Sequence, residues 1–167
     1  ATRLRTTATK RLMDETAISV IRGNSSEILA LRDENSKTKG VDSLHTVEEA
    51  AETAKILAKE LGCTLAITGE VDLVTDGEKT IRVANGHAIM PYVTGTGCAA
   101  TAIIGAFHAV DSDPVTATAT ALAYFGLAGE KAGNACSGPG SFVAALLDSL
   151  YNITAEEFKA GCKFTEG

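Results

Sequence analysis

The chain has 167 residues, 45% of them hydrophobic and 22% charged, with a net charge of −6 and no tryptophan. That is one domain's worth of ordinary globular sequence, long enough to bury a substantial core. Its acidic balance argues against a non-specific nucleic-acid binder. With 5% aromatic residues the core has to be aliphatic and alanine-rich.

In chain order, residues 7–16 read as a short polar helix and residues 17–21 as a short apolar strand. The polar turn Arg22-Gly23-Asn24-Ser25-Ser26-Glu27 follows, then a helical stretch from Ile28, then a charged loop over residues 33–43. Thr46-Val47-Glu48-Glu49 is a capping box that opens a helix through Leu57 and Ala58, stopped at Gly62. Residues 64–68 predict a second buried strand. Asp76-Gly77, a two-residue turn signal, joins residues 73–75 to 80–83 as a hairpin. After a turn at Asn85-Gly86, residues 88–93 read as a strand leading into Gly95-Thr96-Gly97-Cys98.

From Cys98 the chain is mostly helical. One helix reaches Val110, and a second starts near Asp113-Pro114 and runs to about Lys131. A loop with Ser137-Gly138-Pro139-Gly140 precedes a third helix over residues 141–151. The capping box Thr154-Ala155-Glu156-Glu157 starts a short last helix closed by Gly161. Strand–helix–strand alternation followed by a helical half is an α/β plan, with a layered, mostly parallel sheet and one undivided domain over residues 1–167. Three polar turns, at residues 22–27, 68–72 and 94–98, follow the carboxyl ends of apolar strands. Ligands of open α/β sheets bind at that edge.

Cys63, Cys98, Cys136 and Cys162 form no C-x-x-C pair, and His45, His87 and His108 do not cluster with them, so zinc has little support. Cysteine-sparse, alanine-rich composition reads as cytoplasmic, with reduced thiols. The first six residues have no apolar core and do not form a signal peptide. The apolar stretch at residues 98–110 is too short and too interrupted to span a membrane.

Those turns carry the residue types that phosphoryl transfer needs: charge neutralisation, a metal and an oriented nucleophile. Arg22 offers a planar fork for phosphate oxygens. Asn24 and Glu27, three apart at a helix start, are oxygen donors for Mg2+, or simply a helix cap. Gly95, Thr96 and Gly97 supply backbone N–H donors for an anion hole. Cys98, in the first helical turn, sits where the helix dipole favours a thiolate and can accept a hydroxyl proton. A plain strand-to-helix turn with a buried cysteine is the competing interpretation of the same pattern. Thr68 serves either as a ligand contact or as the end of a strand, and His108, inside an apolar helix, reads as a packed, hydrogen-bonded side chain rather than a ligand.

The blocks Ala17-Ile18-Ser19-Val20-Ile21-Arg22-Gly23-Asn24-Ser25-Ser26-Glu27-Ile28, Thr38-Lys39-Gly40-Val41-Asp42, Ile67-Thr68-Gly69-Glu70-Val71-Asp72, Val93-Thr94-Gly95-Thr96-Gly97-Cys98 and Gly138-Pro139-Gly140-Ser141-Phe142 resemble those of hydroxyethylthiazole kinases, in family order. These enzymes belong to the ribokinase-like superfamily, and the resemblance spans nearly the whole chain. It implies a ribokinase-like α/β/α fold and ATP-dependent phosphorylation of the hydroxyl of 4-methyl-5-(2-hydroxyethyl)thiazole, a thiamine-salvage step. By motif, Arg22 and Thr68 contact ATP, Glu27 belongs to the magnesium and phosphate site with Asn24 in its motif, and Gly95 lies against the alcohol. Cys98 takes the place of the aspartate base that ribokinase-like enzymes usually carry. The resemblance also implies a homotrimer with the thiazole pocket at the subunit boundary. It further implies an N-terminal third, on this chain or another, that precedes Ala1. A hydroxymethylpyrimidine or pyridoxal kinase, and a non-catalytic nucleotide-binding fragment, are the alternatives.

Overall fold

The computed structural model describes residues 3–32 and 47–166. The predicted loop at 33–43, His45 and the Thr46 cap lie outside the described residues. Among the described residues seven helices and five strands follow one another as α1 (Arg3–Glu15), β1 (Val20–Asn24), α2 (Ser25–Arg32), α3 (Val47–Leu61), β2 (Thr64–Thr68), β3 (Asp72–Thr75), β4 (Thr80–Val83), α4 (Thr96–His108), α5 (Pro114–Ala135), α6 (Pro139–Asn152), α7 (Ala155–Gly161) and β5 (Phe164–Glu166).

The strands form one sheet in the order β1-β2-β3-β4-β5. The β1–β2 pair is parallel, with Arg22 opposite Ala66 and Asn24 opposite Thr68. The other three pairs extend the sheet antiparallel, so the described part of the sheet is mixed, with the expected parallel pairing confined to β1 and β2. Alternation along β2 separates two layers. Leu65 joins Ile28 of α2 with Leu57 and Ala58 of α3, whereas Ala66 packs with Val74, Val83, Val115, Ala119, Leu122 and Phe142 on the opposite side. The α/β/α plan therefore holds, with α2 and α3 on one face and α4 to α6 on the other. Helix α5 is the keystone of that second layer. Its alanines and glycines are buried almost all round, so the sheet, α4 and α6 can all approach it. Its buried Thr118 is satisfied by His108, whose Nε2 lies 3.1 Å from the threonine Oγ1. His108 is thus a half-buried, hydrogen-bonded histidine at the end of α4, as its place in an apolar helix suggests.

Helix limits follow their caps. Asp113 caps α5 by accepting the amides of Val115 and Thr116, Thr154 and Glu157 form a complete capping box on α7, and Gly62 ends α3 at φ +64°. Four predictions need correction. The first strand starts at Val20 and runs on to Asn24, so half of the predicted turn at 22–27 is strand. The hairpin has a four-residue loop, since Thr75 pairs with Thr80, and Asp76 Oδ1 closes it by accepting the amides of Glu78 and Lys79. Residues 88–93 are not a strand but carry a single 3-10 turn, Met90–Tyr92. Pro91 within it has no N–H for a ladder, and the glycines of α5 draw the segment off the sheet. Finally, α5 continues past Lys131 to Ala135, and β5 was not predicted at all.

Candidate functional site

Strands β1 and β2 are parallel neighbours, so their carboxyl ends deliver Arg22 and Thr68 side by side. The Arg22 Nη2 donates to Thr68 Oγ1 at 2.8 Å. The guanidinium lies across the first turn of α4, where a methyl group added to Gly97 would stand 2.6 Å from Nη1 and 3.0 Å from Nη2. Gly97 is the residue that admits the arginine. Gly95, the N-cap, has φ +98°, a conformation that favours glycine, and no side chain caps the helix. The Thr96 hydroxyl turns away and donates to the carbonyls of Val93 and Met90. The first-turn amides of α4 are thus free of a side-chain cap beside a fixed cation, an arrangement that receives anions. Cys98 is exposed in the same turn, so the buried-cysteine interpretation fails.

Asn24 and Glu27 are handled differently. Asn24 N–H donates to Glu27 Oε2 and Glu27 N–H to Asn24 Oδ1, both at 2.9 Å. This reciprocal pair caps α2 at the end of β1, with both side chains exposed. Among the described residues no group of three or more His, Cys, Asp or Glu side chains converges into a metal-holding cluster.

Arg22, Thr68, Thr96 and Gly97 line one open cleft of about 960 Å³, together with residues 69–72, 84–88, Leu122, Phe125 and Gly126. Gly95, Cys98, Asn24 and Glu27 are not among its lining residues. Two lining residues carry weight that sequence reasoning missed. Asp72 accepts the Gly69 amide at 2.9 Å. Burial pushes its carboxyl up to about 6, against the pull of that hydrogen bond and of the Arg22 charge. Asn85 is 5% exposed and holds the far wall of the cleft through side-chain bonds to α5 and to the chain beyond α7. Asp72 stands within a block quoted for the family resemblance and was open to notice. Asn85 reads from sequence only as half of a turn dipeptide.

Two strand ends meeting a helix start beside an arginine make this an α/β protein with a polar cleft at the carboxyl edge of its sheet, the edge where ligands of such sheets bind. Comparison with known proteins narrows that class. The model of the hydroxyethylthiazole kinase family matches residues 1–156. The chain is 58% identical to a hydroxyethylthiazole kinase of Desulfotalea psychrophila, over 99% of this chain and 61% of that protein. It is 47% identical to the enzyme of the same name from Moorella thermoacetica, over 98% of this chain and 61% of that one. A solved structure of hydroxyethylthiazole kinase protein from Pyrococcus horikoshii OT3 superposes with a TM-score of 0.87 at 39% identity, covering 99% of this chain and 61% of that chain. The chain belongs to the hydroxyethylthiazole kinase family, and it spans about 61% of the length of these relatives.

Proposed function

We propose that this chain is the greater part of an ATP-dependent kinase that phosphorylates the hydroxyl of 4-methyl-5-(2-hydroxyethyl)thiazole. The single observation that carries the reading is the Arg22 guanidinium, bonded to Thr68 and seated on Gly97 at the uncapped start of α4. Family membership supplies the acceptor.

In this reading Arg22 and Thr68 hold the ATP phosphates, and the amides of Gly95, Thr96 and Gly97 face the oxygens of the phosphoryl group in transfer. Donors fixed before the reaction stabilise developing charge without reorganising. Gly95 lies against the alcohol, with open space where a side chain would otherwise stand. The exposed Cys98 sulfur takes the hydroxyl proton as oxygen attacks phosphorus and the bond to the ADP oxygen breaks. Mg2+ keeps most of its ligands as water and substrate phosphate and asks a protein for one or two oxygens. The exposed carboxylate of Glu27 beside the Asn24 amide fits that demand. When bound, the ion neutralises phosphate charge.

The working unit includes the family's remaining length, acts in the cytoplasm and assembles as a trimer. An outward stripe of Val143, Leu147 and Tyr151 on α6, 49%, 63% and 89% exposed, supports burial of this face in an assembly. The test is a phosphate-transfer assay with Mg·ATP and a panel of alcohols, on the chain alone and completed to the family's full length. Thiazole phosphate is the expected product, and Cys98→Ala should lower kcat by about 100-fold or more. Preference for a pyrimidine alcohol, or no product from the completed unit, overturns the reading.

A further inference from the structure

The wall of the cleft opposite Arg22 is made by residues 84–88, an irregular segment with no strand ladder of its own. One buried side chain organises it. Asn85 Nδ2 donates to Glu130 Oε1 of α5 at 3.0 Å and to the Gly161 carbonyl at 2.9 Å, while its Oδ1 accepts the Lys163 amide at 2.8 Å. Both amide protons and the carbonyl oxygen are therefore used. Glu130 Oε1 also accepts the Gly86 amide at 3.0 Å, and both its carboxylate oxygens take the Lys163 ammonium, at 2.9 and 3.0 Å. The Ala84 amide donates to the Lys163 carbonyl at 3.0 Å.

Burial alone would raise the Glu130 carboxyl, but the bonds from Lys163, Gly86 and Asn85 outweigh it and hold the group below the usual range. The knot is thus ionised and fully paired. Its fit against α5 depends on small residues. A methyl group on Gly126 would lie 2.6 Å from the Asn85 carbonyl oxygen, Gly129 makes room for Met90 and Gly133 for His87. Three sequence-distant pieces (the wall, α5 and the residues after α7) therefore meet on one amide.

We propose that Asn85 is a positioning residue for the nucleotide, and that Glu130 and Lys163 act with it, making the segment after α7 part of the nucleotide cleft. The inference rests on the kinase reading above. An unanchored wall leaves Arg22 and the α4 amides in place, so it weakens nucleotide binding while sparing the chemical step and the affinity for the alcohol. A residue needed only for folding would lower the amount of active protein and leave KM alone.

The test is equilibrium binding of Mg·ATP by calorimetry, with kinetics on the active unit, for Asn85→Asp, Glu130→Gln and the double variant. Asn85→Asp sets a carboxylate against Glu130 and should raise Kd and the KM for ATP about 10-fold, leaving kcat and the alcohol KM within about twofold. Glu130→Gln in the same chain restores a donor facing the introduced carboxylate and should recover part of that loss, the bond to the Gly161 carbonyl staying lost. Lys163→Met, which leaves Asn85 intact, should weaken ATP binding about threefold and covers the case in which Asn85→Asp does not fold. Unchanged nucleotide affinity in Lys163→Met and in folded Asn85→Asp overturns the inference, as does an unrepaired double variant. A wild-type unit that binds no Mg·ATP overturns the kinase reading as well, so the two failures are distinguishable.

Discussion

Helices α2 and α4 both begin at one edge of the sheet, yet their amino ends are finished in opposite ways. At α2 the protein satisfies itself: Asn24 and Glu27 bond each other's amides, and the cap is complete without a ligand. At α4 the N-cap is Gly95, no side chain returns to the helix, and the Thr96 hydroxyl bonds backward to Val93 and Met90. Arg22 is drawn across this open end by Thr68, and Gly97 makes space for it. A closed helix start contributes stability, whereas an open one beside a cation leaves its donors for something else. The difference favours the α4 start over the α2 start as the proposed anion site, and leaves α2 with what its exposed carboxylate can add.

The sharpest way to break this contrast is Gly97→Ala. The position has no positive φ, and alanine favours a helix over glycine by about 1 kcal/mol, so the fold should hold or gain. The new methyl group meets the guanidinium, a flexible end that moves aside. Nucleotide affinity should then fall about 100-fold, or some 3 kcal/mol, with an unchanged or higher Tm. Calorimetric titration with Mg·ATP beside a melting curve measures both. Full affinity in a folded Gly97→Ala protein would mean that the Arg22 seat is not the anchor.

The opposite end of the contrast is tested at Glu27. Glutamine at this position still completes a capping box, whereas alanine cannot. Glu27→Ala should therefore lose about 1 kcal/mol of stability, and Glu27→Gln almost none. If Glu27 also serves the metal, Glu27→Gln should lose about tenfold in kcat, the range in which outer or single metal ligands act. Equal turnover of wild type and Glu27→Gln would leave α2 as a cap and nothing more. The two variants separate the roles because stability reads the cap and turnover reads the charge.

These starts were legible in sequence to different depths. Arg22, Thr68 and the glycine turn could be read because each is local: a polar residue at a strand end, or a G-x-G before an apolar run. Caps made by short-range bonds, such as Thr154 with Glu157, were equally readable. Residues 88–93 misled because a short apolar run does not distinguish a strand from a segment packed on glycines. What settles it is Gly129 and Gly133, some forty residues further on, which admit Met90 and His87. The Asn85 knot was out of reach for the same reason, since Glu130, Gly161 and Lys163 lie 45, 76 and 78 residues away. Long-range pairing leaves no periodicity to read.

The smallest effect belongs to two aspartates that repeat the contrast in their titration. Asp113 closes the start of α5, and hydrogen bonds from Thr116 and Lys79 hold its carboxyl below the usual range. It therefore adds stability at neutral pH that fades as acid protonates it. Asp72 stands on the open side, and burial lifts its carboxyl from 3.8 to about 6. Between those values the folded protein keeps a proton that the unfolded chain has released, so stability falls as pH rises through about 4 to 6 and then levels. A shift of this size has a ceiling of about 3 kcal/mol. Solvent screening in the half-open setting brings the expected gain from Asp72→Asn at pH 7 to about 1 kcal/mol, or roughly 2–4 °C in Tm. Asparagine keeps the bond to the Gly69 amide, so the gain isolates the charge. Melting curves across pH 4 to 8 should show the acid-side slope vanish in Asp72→Asn, and a slope that persists would mean that Asp72 ionises freely and that water, not protein, surrounds it.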